Sequence, residues 1–330
     1  MEKTLDVILL GRIALDFNPA DFGKSFADTE NFHKFVGGSA ANTAVGLAKM
    51  GCRVGFFSCV SNDGLGDYVL QYMKRAGVDV SRVARADAPL GLSFLEILPD
   101  GKTNLMMHRS AQCADLQLCM EDIDEAYIAS AKYLLVSGTA LSASPSREAA
   151  LKAILLAKKV GTKIIFDIDY RPQVWKSKDE IALFYTMAAR EAFLIMGSRE
   201  EFDLTDAMYL PNAKDRATAD RWFGENAEIL IIKHGSKGSY VYCKDSKTYR
   251  VHPFQINFLK ATGGGDAYSS AFVAAMLKGH PIPVCAEWGT ASASLAVSAD
   301  NCSDALPNEA TLTAFIESRH AQGETVVFEE

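Results

Sequence analysis

The chain has 330 residues, 48% of them hydrophobic, which is ample for one α/β core and leaves no need for several small domains. A net charge of −7 with no Lys/Arg run argues against a nucleic-acid or anionic-membrane partner, while a local basic pocket for phosphates stays open. The seven cysteines are dispersed without a Cys-x-x-Cys pair, which argues against a zinc or dithiol site and fits small core residues in a reducing compartment.

In chain order, Leu5–Gly11 reads as a buried strand, and its apolar run is too short for a signal peptide or a membrane span. A cytoplasmic protein is expected. Ser39–Met50 has helical spacing, Arg53–Cys59 is a second strand, and Leu65–Ala76 is a helix closed by Gly77. Tyr133–Val136, Lys163–Asp167, Phe193–Met196 and Ile229–Lys233 are short β-rich runs separated by helical stretches such as Arg147–Val160 and Asp179–Glu191. This alternation predicts a doubly wound, mostly parallel sheet flanked by helices. Thr29–Val36 and Gly91–His108 instead alternate apolar with polar residues, the latter around a turn at Pro99-Asp100-Gly101, and read as a half-exposed β lid. With no repeat or linker, residues 1–330 form a single domain whose lid segments are 13–36 and 91–110.

Three motifs carry chemistry. Thr262-Gly263-Gly264-Gly265-Asp266 precedes an apolar helix over Ser269–Leu277. Glycines at a helix start let backbone N–H groups approach an anion, the helix dipole adds positive charge, and Asp266 can take a proton from an attacking hydroxyl. An N-capping Asp after a Gly-rich turn fits the same residues. Gly37-Gly38-Ser39-Ala40-Ala41-Asn42 opens a helix where small residues admit a polyol and Asn42 offers hydrogen bonds; a tight turn explains it as well. Lys233-His234-Gly235-Ser236-Lys237-Gly238 joins two strands, as a plain hairpin turn or as a Gly-containing wall beside a nucleotide. No Gly-x-Gly-x-x-Gly follows the first strand, which sets aside a dinucleotide-binding dehydrogenase.

The order and spacing of these motifs resemble the ribokinase (PfkB-type) carbohydrate kinases over nearly the whole chain. That resemblance implies a ribokinase-like fold with a small β-sheet lid, ATP and Mg2+ as cofactors, and a small-molecule sugar as the partner. By it, Gly263, Gly264 and Gly265 form an anion hole and Asp266 is the catalytic base. Asp16, Gly37, Gly38 and Asn42 bind sugar, while Lys233, Gly235 and Gly238 lie along ATP. The helix Ala291–Ala299 also houses the nucleotide. The family's Asn-x-x-Glu motif falls on Gly197-Ser198-Arg199-Glu200, so Glu200 organises magnesium through water; a solvated glutamate is the plainer reading. A homodimer through the lid is implied too.

Phe166-Asp167-Ile168-Asp169-Tyr170-Arg171 ends a strand and delivers Arg171 to the carboxyl edge of the sheet, where its planar fork suits a carboxylate. A salt bridge from Arg171 to Asp167 or Asp169 is the structural alternative. The stretch is similar to segments of family branches that phosphorylate sugar acids, the 2-keto-3-deoxygluconate kinases and the 5-dehydro-2-deoxygluconokinases of inositol breakdown. Arg109, at the end of the lid hairpin, offers a second cation over the cleft. The family's Asp-Thr-x-Gly-Ala-Gly-Asp reads here Lys260-Ala261-Thr262-Gly263-Gly264-Gly265-Asp266, and a lysine at the first position resembles the second branch. Gly264 in place of Ala is expected to loosen the anion hole by about 1 kcal/mol of backbone entropy. The reading is transfer from ATP to the terminal hydroxyl of 5-dehydro-2-deoxygluconate. Its rivals are a 2-keto-3-deoxygluconate kinase and a silent sugar or nucleotide sensor. In relatives the first Asp helps bind a monovalent cation, so its reversal to Lys260 predicts equal initial rates in potassium and in sodium chloride; strong activation by potassium alone contradicts it.

Overall fold

Apolar runs that are hydrophobic on both sides become central strands because helices then cover both sheet faces. The structure, a computed structural model, describes residues 3–21, 23–98, 103–259, 262–299 and 303–330. The chain begins β1 (Leu5–Leu10), β2 (Ala14–Pro19), β3 (Phe32–Gly37), α1 (Ser39–Lys49), β4 (Val54–Ser61), α2 (Gly64–Arg75) and β5 (Val78–Ala86). It continues β6 (Gly91–Ile97), β7 (Thr103–His108), α3 (Glu125–Ala129), β8 (Ala131–Ser137), α4 (Ser146–Val160), β9 (Lys163–Asp167) and α5 (Lys178–Ala189). Next come β10 (Leu194–Ser198), α6 (Arg199–Thr205), α7 (Asp215–Phe223), β11 (Ile229–Lys233), β12 (Ser239–Cys243) and β13 (Thr248–Val251). The last elements are α8 (Gly264–Leu277), α9 (Ile282–Val297), α10 (Glu309–Ala321) and β14 (Val327–Glu329).

Among the described residues, ten strands form one sheet in the order β14-β13-β12-β11-β10-β9-β8-β1-β4-β5. Pairing is parallel from β5 across to β11 and antiparallel from β11 to β14. The expected doubly wound sheet is therefore present, with an antiparallel extension. Winding proceeds outward from β1 in both directions, so the order reverses beside β1 and a crevice opens at the carboxyl ends of the strands. Strand alternation divides the core: Val7 and Leu9 of β1 pack with α1, α2, α8, α9 and α10, while Ile8 and Leu10 pack with α3 to α7.

A separate four-stranded sheet, in the order β3-β2-β6-β7, comes from the two segments expected to form a lid. Phe94 gathers its aromatic face, stacking on Phe17 at 4.9 Å and meeting Phe32 edge-on at 5.9 Å. The turn expected at Pro99-Asp100-Gly101 lies outside the described residues. Several elements differ from expectation, among them the helix expected at Ala291–Ala299, which is the end of α9. β5 was not foreseen, because an edge strand with one wet face carries Asp79, Ser81, Arg82 and Arg85 among its apolar positions. The helix expected from Ser269 begins five residues earlier, at Gly264, because the glycine run is its first turn.

The crossing of α1 and α8 sets the site. A Cβ at Gly46 of α1 would lie 2.4 Å from Ser270 Oγ and 2.6 Å from Ser270 Cβ of α8. Glycine costs about 1 kcal/mol against alanine in a helix interior, and here it is required for the helices to touch. Gly46→Ala is expected to lower stability by a net of up to about 2 kcal/mol, because overpacking costs roughly 1–3 kcal/mol against a propensity gain of about 1 kcal/mol. Thermal denaturation measures this, and a raised melting temperature would sink the argument.

Candidate active site

The loop after β1, the small sheet, the ends of β9, β10 and β11, and the starts of α1 and α8 surround a cavity of about 670 Å³. Asp266 stands at its centre in the first turn of α8. Its Oδ1 accepts a hydrogen bond from Ser39 Oγ at 2.7 Å and its Oδ2 accepts one from Asn42 Nδ2 at 2.7 Å. Ser303 Oγ lies 2.8 Å from Asn42 Oδ1 and also contacts the Val36 carbonyl, so its one proton serves either acceptor. Lys49 ties that segment to α1 by donating to the carbonyls of Ser303, Asp304 and Leu306 at 2.9–3.1 Å. The N-cap of α8 is Gly263, at φ 85° and with no side-chain cap bond, so Asp266 is not the cap. Its carboxylate is held across the helix crossing and lines the cavity.

The glycines around it have distinct reasons. A Cβ at Gly264 would lie 2.8 Å from Val297 Cγ1, so α8 packs closely on α9 at this glycine. Gly265 faces Lys233, whose Nζ would be 3.8 Å from a Cβ. Gly37 makes room for the Asp16 carboxylate, which a Cβ would approach to 2.1 Å; Gly37 itself is not part of the wall, whereas Gly38, at φ 94°, is. Gly235 and Gly238 line the cavity beyond β11, and a Cβ at Gly238 would lie 2.0 Å from Val251 O.

Charged groups crowd the strand ends. Lys233 Nζ donates to Ser269 Oγ at 3.2 Å and stands 3.8 Å from Asp167 Oδ1, while Ser269 Oγ donates to Asp167 Oδ2 at 2.7 Å. Burial pushes the Asp167 carboxyl up to about 7, against the pull of Lys233 and with repulsion from Asp169 and Glu201. Asp169, at φ 40°, accepts from Ser137 Oγ at 2.7 Å and pairs with Arg171 Nη2 at 3.0 Å. Arg171 Nη1 donates to Tyr170 O at 2.7 Å. Asp169 foremost holds the Arg171 guanidinium above its ordinary pKa, although burial opposes it. Arg171 thus lines the cavity and makes the salt bridge that was its structural alternative.

Two expectations are corrected. Arg109 does not reach over the cleft. Its guanidinium and the Asp115 carboxylate are 0% and 1% exposed, bonded at 2.7 Å, and Arg109 also donates to Ser142 Oγ and Thr139 O. Glu200 is exposed and outside the wall. A capping box at α6 turns its neighbour inward: Ser198 N donates to Glu201 Oε2 at 2.6 Å, and Tyr170 N donates to Glu201 Oε1 at 2.7 Å. Glu201 lines the cavity in its place. Lys260 lies outside the described residues.

Arg12, Ser39 and Glu201 are wall residues that the sequence reading missed. Ser39 precedes Asn42 by three positions on a helix and so shares its face, a signal available from spacing. Arg12 sits immediately after a buried strand, where a charged residue marks the carboxyl edge. Ile256, Phe258, Ala293 and Val297 give the far end of the cavity an apolar wall from α9 and the chain before α8. Among the described residues, no group of three or more His, Cys, Asp or Glu is arranged to hold a metal alone.

Residues 4–309 match the pfkB family carbohydrate kinase. A 5-dehydro-2-deoxygluconokinase of Clostridium perfringens is 46% identical over 328 residues, covering 98% of this chain and 97% of that one. A PfkB protein from Polaromonas sp. JS666 superposes with a TM-score of 0.81 at 26% identity, over 94% of this chain and 99% of that one. A fructokinase with bound ATP from Xylella fastidiosa shares the fold, with a TM-score of 0.83 at 21% identity over 96% and 99%.

The raised Asp167 carboxyl has a consequence for stability. Between its unfolded value near 3.8 and its folded value of about 7, the native state binds more protons than the unfolded chain. Its contribution to stability is therefore present at low pH and lost as pH rises across that window. Asp167→Asn is expected to flatten the fall in melting temperature between pH 4 and 7; an unchanged slope in the variant would assign the effect elsewhere.

Proposed function

The chain belongs to the pfkB family of carbohydrate kinases, and on that premise we propose that it transfers the terminal phosphoryl group of ATP to the terminal hydroxyl of 5-dehydro-2-deoxygluconate. It is a phosphotransferase acting on a sugar hydroxyl. The observation that carries the mechanism is the Asp266 carboxylate, fixed by Ser39 and Asn42 in the first turn of α8. One acceptor position on each oxygen is used, and an ionised carboxylate has more to offer a substrate hydroxyl. Asp266 takes that proton as the oxygen attacks. The N–H groups of the first turn, which helix geometry leaves without intrahelical acceptors, meet the transferring phosphoryl group, with the helix dipole behind them. A full-length relative 46% identical and named 5-dehydro-2-deoxygluconokinase supports the acceptor, and Arg171 supports a sugar acid.

Lys233, Gly235 and Gly238 lie along the nucleotide in this reading, and the apolar wall of Ile256, Phe258, Ala293 and Val297 takes the base. The described wall carries Asp16, Asp167, Asp169, Glu201 and Asp266 against Arg12, Arg171 and Lys233. Such a wall repels phosphates unless a cation accompanies them, which fits a magnesium ion held largely by phosphate and water oxygens, as is usual for that ion. Glu201 and Asp167 would hold it, and when bound it supplies neutralisation of the phosphate charge. Asn18, Ser93, Leu95 and Leu105 bring the small sheet into the wall, supporting its role as a lid on a single domain; a homodimer through that sheet belongs to the same proposal. No helix among the described residues is long and apolar enough to cross a membrane. Action in the cytoplasm is likewise part of the proposal.

Asp266→Asn is expected to keep binding of ATP and sugar acid while kcat falls by roughly 10²–10⁴, the range for a positioned base. Calorimetry and a coupled ADP assay separate the two; near-normal turnover removes Asp266 from the chemistry. The acceptor is tested by ADP release against 5-dehydro-2-deoxygluconate, 2-keto-3-deoxygluconate, gluconate, ribose, fructose and adenosine. The highest kcat/KM is expected for the first. Preference for the second would retain the mechanism and replace the acceptor, and silence across the panel would favour a sensor.

A further inference from the structure

Three arginines sit close together near the small sheet, and they differ in how much of their hydrogen-bonding capacity is already used. Arg109 makes four hydrogen bonds, to Asp115, Ser142 and the Thr139 carbonyl, away from the cavity. Arg171 spends Nη1 on Tyr170 O and Nη2 on Asp169. Arg12 lines the cavity and is only 5% exposed, yet its Nε and Nη1 have no hydrogen-bond partner. Taking guanidinium donors out of water without replacing their hydrogen bonds is unfavourable, so a native chain retains such a group where a ligand supplies the acceptor.

The surroundings agree. Burial, followed by repulsion from Arg109, lowers the Arg12 pKa, while Asp16 and Asp115 oppose this. Asp115 gives its Oδ2 to Arg109, while its Oδ1 is buried without a partner on the same side of Gly91 as Arg12 Nη1. A substrate carboxylate entering beside Asp16 meets a like charge unless a cation stands with it. The Arg12 backbone is also pinned, because its carbonyl is so near Gly38 that a Cβ there would lie 2.5 Å away. The guanidinium is therefore presented from a closely packed turn rather than a loose loop.

Resting on the sugar-acid reading above, we propose that Arg12 completes the carboxylate receptor beside Arg171 and sets the preference for a sugar acid over the same sugar with an alcohol at C1. Asp16 then serves the sugar hydroxyls, and the two arginines divide the carboxylate between them.

The test compares binding of 5-dehydro-2-deoxygluconate with that of its C1-reduced alcohol, by calorimetry on the full chain with a non-hydrolysable ATP analogue. The wild-type protein is expected to favour the acid. In Arg12→Gln the acid's affinity is expected to fall by roughly tenfold to a hundredfold, the range for hydrogen bonds to charged groups. The acid-to-alcohol ratio then collapses toward one, and the KM for ATP is unmoved. Arg12→Lys is expected to recover part of the ratio, since charge returns without the planar donors. Equal losses for acid and alcohol would make Arg12 a structural partner of Asp16 and overturn the proposal. Should Arg12→Gln not fold, a crystal structure of the wild-type complex decides: the carboxylate within hydrogen-bond distance of Arg12 supports the proposal, and a carboxylate elsewhere overturns it. Failure of the acceptor reading is separately visible, as a wild-type protein that does not turn over the acid.

Discussion

Everything at this site depends on one carboxylate held between two helices. Asp266 belongs to α8, yet both hydrogen bonds that orient it come from α1, through Ser39 and Asn42. Those bonds exist only while the helices touch, and the helices touch because Gly46 presents no side chain to Ser270. A buried helix contact, the orientation of a carboxylate and the direction of a dipole are thus one arrangement. Asn42 itself meets Ser303, and the chain around Ser303 is drawn onto α1 by the Lys49 ammonium. The carboxylate is positioned by packing and by a short relay of hydrogen bonds, not by its own loop.

The second constraint is electrostatic. Parallel strands ending at one edge deliver Asp167, Asp169, Arg171, Glu201 and Lys233 into a small volume of reduced solvent. Charges placed so close shift one another, and burial decides the largest effect, raising Asp167 to about 7. The wall that results is acidic, as the whole chain is. Its few described cations are Lys233, beside Gly265, and Arg12 and Arg171. A site with this balance admits a polyanion only in company with a metal ion, which is the electrostatic reason a nucleotide–magnesium complex suits it.

Much of this was legible in the residues. Continuous apolar runs announce buried parallel strands because both of their faces must be covered, and β1, β9 and β11 fall where those runs lie. The glycine run before Asp266 is legible because glycine adopts the φ of 85° at Gly263, which starts the helix, without a Cβ penalty. Edge strands were less legible. β5 mixes charge with apolar residues because one face is wet, so its period is masked.

What the sequence determined by itself was the doubly wound sheet with its small companion and the glycine run that opens the helix carrying Asp266, because each rests on local backbone preference or on burial that a linear pattern records. The tertiary structure alone decided which charges face the cavity. Arg109 and Arg171 look alike in sequence, but Asp115 claims the first inside the core while the second stays at the edge. Glu200 and Glu201 are neighbours, and only the capping geometry of α6 turns the second inward. Arg12 had no motif to mark it. The direction of a side chain and the supply of partners depend on residues far away in the chain, and those meet only when the fold is complete.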